Sequence, residues 1–239
     1  MNKVLQFFIL HSSFFILASS VLHAQSSETA DSSTAWLNDE WYYGLDDSSF
    51  FDSSSLLPDL FQHQVQLKEF IRDPHFYVLR KSYGDTLAVD AIYDRAMLLA
   101  DGNVKEALWI SLFSVMDHRS LGFRIPLLGT VRIPLTFESD SSFKLRRTNL
   151  PKRVLNDLNK TTDKDKLQHF FGSAFLAFET NSDSFVEWIG NLLEIGENKF
   201  VVDGNDDPRD RLANAKGREF GLRLLKDETV LPSDILWKK

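Results

Sequence analysis

Residues 163–173 read Asp163-Lys164-Asp165-Lys166-Leu167-Gln168-His169-Phe170-Phe171-Gly172-Ser173, and their spacing decides the fold. Phe170, Ala174 and Ala177 recur at helical intervals, and Phe171, Phe175 and Phe178 widen the apolar stripe. Lys166, His169 and Ser173 follow one another on a neighbouring polar stripe. The segment predicts an amphipathic helix over 164–179, with Gly172 as a point of close approach for a second helix. His169 falls at the edge of the apolar face, near the first turn. There the positive end of the helix dipole favours a neutral imidazole, able to bind metal or accept a proton.

Two further helices are predicted after it. The first runs from Ser184 to about Lys199 and carries Glu187, Glu194 and Glu197; Glu194 and Glu197 share a face opposite Trp188, Leu192 and Ile195. The second runs over 208–225 and opens with Asp207 as N-cap, Pro208 at the first helical position and Asp210 at the third. Asp210, Asn214 and Gly217 then form one stripe, and Gly217 and Gly221 mark a close helix contact. Three helices that converge would bring together His169, Glu194 or Glu197, and Asp210 or Asn214. Such a carboxylate–imidazole set suits a hard or borderline divalent metal ion, or acid–base catalysis by His169, Glu194 and Asp210. The competing structural reading is helix capping plus a hydrogen-bond network at a helix junction. A calcium loop at 203–214 is the poorer reading, because Pro208 stands where that loop needs Gly and Asn214 where it needs Glu.

Upstream, Leu57-Pro58 opens a helical segment, and Ala88–Leu99 carries a clear helical stripe of Ala91, Ile92, Ala96, Met97, Leu98 and Leu99. Asp101-Gly102-Asn103 stops it, and Asn103 with Glu106 predicts a capping box for the next helix. Phe123–Leu127 and Val131–Phe137 alternate apolar and polar residues around Leu128-Gly129-Thr130, the pattern of a β-hairpin with Phe123, Ile125, Leu127, Val131, Ile133, Leu135 and Phe137 on one face. Lys144–Arg153, with its breaker Asn149-Leu150-Pro151, reads as a solvated basic linker. Met116-Asp117-His118-Arg119 forms a second polar candidate: Asp117 and Arg119 pair across His118, or Asp117 orients the imidazole. Val230–Lys239 reads as a closing strap.

The N-terminus supplies an address. Met1-Asn2-Lys3, a mostly apolar stretch to Val21 and Leu22-His23-Ala24 have the order of a cleaved export signal, residues 1–24, and His11-Ser12-Ser13 breaks the run short of a membrane span. A flexible Ser/Asp-rich leader follows over 25–56. Its aromatic patch, Trp36–Tyr43, reads first as a strap on the domain and second as a grip for an envelope protein or a saccharide. Residues 57–239 are expected to form a single compact domain, 57–150 as helices plus hairpin and 151–239 as a helical bundle. The fold class is mainly α with a β-hairpin (α+β). The chain holds 27 Lys and Arg against 34 Asp and Glu, a net charge of −7, which argues against nucleic acid as partner. It has no Cys, which excludes disulfides, thiolate metal sites and a Cys nucleophile. G-x-S-x-G, P-loop, H-E-x-x-H and dinucleotide fingerprints are also missing.

The words Asp165-Lys166-x-x-His169-Phe170-x-Gly172, Glu194-x-x-Glu197 and Asp207-x-x-Asp210-x-x-x-Asn214-x-x-Gly217 resemble a pattern in small uncharacterised bacterial envelope proteins and, more distantly, VanZ-like membrane proteins. The resemblance implies a shared polar site of Lys166, His169, Glu194 and Asn214 and brings no established reaction. The helices here are shorter and more polar than membrane-embedded ones. The expectation is a periplasmic or secreted protein without a transmembrane segment in its mature chain, acting as a non-catalytic binding or structural module. The alternative is a metal-dependent or acid–base hydrolase.

Overall fold

A computed structural model of the chain describes residues 59–125, 129–134, 136, 138–155, 163–182 and 207–237, without the side chains of 121–134. The predicted signal, the leader with Trp36–Tyr43, and the helix with Glu187, Glu194 and Glu197 lie outside the described residues. Among the described residues, seven helices and two strands follow in order: α1 Asp59–Arg72, α2 Pro74–Leu99, α3 Val104–Val115, β1 Ser120–Ile125, β2 Gly129–Pro134, α4 Asp140–Asn149, α5 Lys166–Thr180, α6 Pro208–Leu224 and α7 Pro232–Leu236. The architecture is mainly helical, and the described residues from His63 onward belong to one unit. No described helix is long and apolar enough to cross a membrane.

Helix boundaries follow local chemistry. Asp73 caps α2 through the His75 amide (2.7 Å), with Pro74 at its first position. Gly84, at φ 91°, breaks α2 into two helical halves, a conformation that only glycine adopts without strain. Only the second half was legible as a helix. The α2–α3 turn places Asp101 and Gly102 at positive φ, and Asn103 accepts the Glu106 amide at 3.2 Å. The expected reciprocal half of that capping box is absent. The Glu106 carboxylate pairs with His63 Nδ1 at 3.0 Å, a long-range partner that sequence spacing does not reveal. Asn181, in the left-handed region, ends α5.

The core lies around α5. Leu167, Phe170, Phe171, Ala174 and Ala177 are buried, and α5 packs against α6 on one side and α3 on the other. Tyr93 of α2 reaches into this core, edge-on to Phe220 (5.2 Å) and stacked beside Phe171 (6.4 Å). Trp109 of α3 meets Phe175 at 5.5 Å. Gly172 is not the close-approach point the sequence suggested: a Cβ there would make ordinary contact, 3.5 Å from Leu112. The close approach occurs at Gly217 and Gly221, where a Cβ would strike the backbone of Phe170 and of Ala174.

β1 and β2 pair antiparallel, with Phe123 opposite Val131 and Ile125 opposite Gly129. Gly129 therefore belongs to a strand instead of the connecting turn, and the side chains of the expected apolar face lie outside the described set. The segment read as a basic linker is largely helix α4, capped by Ser139 on the Ser142 amide (3.2 Å). Its Arg146 is fully buried: the guanidinium meets both oxygens of Glu138 and donates to the carbonyls of Ser114 (2.8 Å) and Met116 (2.9 Å) at the end of α3. A basic residue was expected in solvent; buried partners reverse the balance. Asn149 performs the same service for α1, donating to Ile71 O at 2.9 Å.

The expected closing strap contains α7, whose Pro232, Ile235 and Leu236 are buried. Asp90 of α2, 1% exposed, accepts the Ser233 amide at 2.9 Å, and Lys216 of α6 donates to Ile235 O at 2.8 Å. Burial pushes the Asp90 carboxyl up to about 6, and burial together with the Asp90 charge pushes Asp94 up to about 7. Groups raised in this way stabilise the fold fully below their unfolded-state pKa, and that stability is lost as pH rises through the folded value. His118, also raised, acts in the same direction. The lowered Asp117, Glu138 and Asp207 act only in more acidic solution, while Lys68, pushed down to about 7 by burial, acts in the opposite direction near the top of the range and offsets part of the loss. Between about pH 5 and 7.5 the protein should lose about 3 kcal/mol of stability. Urea melts at the two pH values check this. Asp94→Asn should remove the larger part of the loss, and an unchanged slope in that variant would refute the assignment.

Candidate functional site

The α5–α6 crossing brings four of the sequence-nominated residues together. Lys166 enters from the first turn of α5 and is 2% exposed. Its ammonium lies 2.5 Å from Asp165, 2.7 Å from Asp207 and 2.7 Å from Asp210. His169, one turn further along α5, places Nε2 3.3 Å from the same Asp210 oxygen. A turn beyond, Ser173 donates to Asn214 Oδ1 at 3.0 Å. The two polar stripes thus meet rung by rung, because close approach at Gly217 and Gly221 lets short polar side chains span the gap.

The electrostatics follow from this geometry. Burial alone would lower the Lys166 pKa, but the hydrogen bonds it donates to three carboxylates outweigh burial and raise the pKa above the usual lysine range. The hydrogen bond to Lys166 holds Asp207 below the ordinary carboxylate value. Asp207 also caps α6 through the Arg209 amide at 2.9 Å. Asp163, 2% exposed, anchors the approach to α5: it accepts the amides of Val154 (3.0 Å) and Leu155 (3.2 Å) and pairs with Arg209.

The three carboxylates Asp165, Asp207 and Asp210 are close enough to hold a metal ion. Of the expected metal set, His169 and Asp210 meet, while Glu194 and Glu197 lie outside the described residues. Asp165 and Asp207 were missed as members of the cluster, Asp207 because capping already accounted for it. The signal lay in the spacing: Asp207 and Asp210 flank the first turn of α6 as Lys166 opens α5. The ammonium occupies the position among these carboxylates that a cation would take. A metal would have to displace a held, protonated lysine.

The second candidate cluster follows the end of α3. Asp117, buried, lies 2.7 Å from His118 Nδ1, and Arg147 of α4 lies 3.6 Å from its other oxygen. Arg119 does not pair with Asp117; it turns to Asp140 and donates to Glu138 O at 2.6 Å. Helical geometry would keep Asp117 and His118 apart, but α3 ends at Val115, so the adjacent pair is free to meet. The Asp117 hydrogen bond raises the His118 pKa against the effect of burial, and the Arg147 charge opposes it. Burial would raise Asp117, but His118, Arg147 and Lys164 together hold it below the ordinary range. Half-exposed His118, oriented by a buried carboxylate, has the form of an acid–base pair. No family model, curated protein or solved structure matches this chain.

Proposed function

We propose that this chain is an exported, non-catalytic binding module of the cell envelope, of the kind its Asp165-Lys166…His169 pattern resembles. In this reading the Lys166–His169–Asp210 cluster is a clasp between α5 and α6. One observation carries it: an almost fully buried ammonium has three carboxylate partners within 2.7 Å, so the position at the centre of the acidic cluster is already filled by a cation of the chain itself. A reaction centre needs an open coordination position or a group in reach of substrate, and Lys166 fills the position in question. The acid–base alternative is favoured by the half-exposed His118 beside Asp117.

The clasp reading is tested by exchanging one cation for another. Lys166→Met should destabilise the protein by roughly 2 kcal/mol, since three carboxylates lose their shared partner and two of them stay partly solvated. Millimolar Ca2+ or Mn2+ should then restore much of that loss in Lys166→Met while leaving the unaltered chain's melting temperature unchanged. Uptake of one divalent ion by the unaltered chain, abolished in His169→Ala, would overturn the clasp in favour of a metal centre.

A further inference from the structure

We propose that the junction of α2, the end of α4 and the approach to α5 is a binding site for a multiply charged phosphate group, held by Arg147, Lys152 and Lys164 with Arg80 behind them. The inference deepens the binding-module reading and rests on it.

Hydrogen bonds fix the segments that carry these cations. Arg80 of α2, 5% exposed, donates to Leu150 O at 2.6 Å, just past the end of α4. Asp85 of α2 accepts the Arg153 amide at 2.9 Å. The Asp163 amide donates to Lys152 O at 2.9 Å, which sets Lys152 beside Lys164. Arg147 lies in the last turn of α4, against Asp117. The four stretches of chain that carry these cations therefore lie together, and three of the cations are reachable from solvent.

Their charges act on one another. Burial and then the charges of Lys152, Arg147 and Arg80 push the Lys164 ammonium below the usual lysine range, with Asp117 opposing. Of the acidic groups nearby, Asp163 pairs with Arg209, and Asp85 faces Arg80 (3.8 Å) and the Arg153 amide. Asp165 shares the single Lys166 ammonium with Asp207 and Asp210 and so keeps most of its charge. Against the four cations, Asp85, Asp117 and Asp165 leave a surplus of one positive charge, in a chain whose net charge is −7. Concentrating like charges costs energy that a bound anion offsets. A singly charged carboxylate would answer one cation. A phosphate group presents several acceptor oxygens and up to two negative charges, matching donors that arrive from several directions. His118 stands beside Arg147 at the edge of the site and adds a further donor when protonated.

The full chain is titrated, at physiological salt, with inorganic pyrophosphate by calorimetry. In a second arm it is sedimented with vesicles containing phosphatidic acid, a phosphomonoester, or with vesicles of phosphatidylcholine alone. Saturable one-to-one binding of pyrophosphate supports the site and assigns it to soluble phosphate compounds. Sedimentation with the phosphatidic acid vesicles alone supports it and assigns it to a lipid headgroup. Lys152→Gln/Lys164→Gln should weaken the productive arm about a hundredfold, about tenfold for each cation removed. The single variant Arg147→Gln provides the same test should that double variant melt early. Lys105→Gln/Lys226→Gln removes the same charge elsewhere and should leave binding within about twofold. Binding in neither arm, or equal losses in the two double variants, overturns the proposal. The clasp reading stands or falls separately on the metal titration of Lys166→Met.

Discussion

Replacing Gly217 with alanine should cost about 3 kcal/mol or more, although alanine is the better helix former by about 1 kcal/mol at an open position. A Cβ at Gly217 would overlap Phe170 O and stand 3.0 Å from Phe170 C and Cα. These are backbone atoms of α5, so no side-chain rotation relieves the contact and the helices must part. Gly221 repeats the problem one turn on, against Ala174, so the double variant should not fold. Separation would also pull apart the stacked rings of Phe170 and Phe220, 5.2 Å between centroids, and the Ser173–Asn214 hydrogen bond. Gly172→Ala is the matched control: with its nearest neighbour at 3.5 Å, the propensity gain should survive and leave the protein equal or slightly more stable. Urea denaturation of the three variants checks the order. Equal stability of Gly217→Ala and Gly172→Ala would refute the tight crossing.

The contrast among these glycines shows what sequence periodicity reveals. Gly217 and Gly221 share a face with Asp210 and Asn214, so their stripe was legible as a contact surface. Gly172 lies on a helix whose apolar face is broad, and spacing alone gives no means of choosing its neighbour. The same holds for the polar cluster. Lys166, His169, Asp210 and Asn214 were legible because each sits on a helical stripe aimed at the same crossing. Asp165 and Asp207 were hidden by their positions at helix starts, where capping explains an Asp without further help. In α4 the reading failed for a different reason. Short, polar and rich in basic residues, that helix has no apolar stripe to announce it, and its burial depends on an acid eight residues upstream and on carbonyls of α3. Long-range satisfaction of a charge leaves no periodic trace.

The buried cation of α4 carries the second large expected effect. Arg146→Ala should destabilise the protein by about 3–5 kcal/mol, the usual cost of breaking a buried ion pair by removing one partner. Glu138 would keep Arg72 at 2.7 Å and Thr136 at 2.9 Å, but would lose three contacts from the Arg146 guanidinium. The carbonyls of Ser114 and Met116 would lose their donor at the end of α3. Arg146→Lys retains the charge without the fork, so its loss should be intermediate. Arg146→Met/Glu138→Leu should recover part of the loss by removing the stranded carboxylate, though not all of it, because the two carbonyls stay unpaired. Burial alone would raise the Glu138 pKa, yet Arg146, Lys68 and Thr136 together hold it below its ordinary value. That stability is present above the unfolded-state pKa of about 4.5 and disappears as pH falls through the lower folded value. Arg146→Ala should therefore flatten the acid limb of the stability profile as well as lower the profile at neutral pH. Lys68 gives an independent readout. Burial, reinforced by the Arg146 charge, pushes its ammonium down to about 7, so removing that charge should move its titration upward. A variant that melts within about 1 kcal/mol of the unaltered chain, with its acid limb intact, would mean that this guanidinium is not what joins α4 to the end of α3.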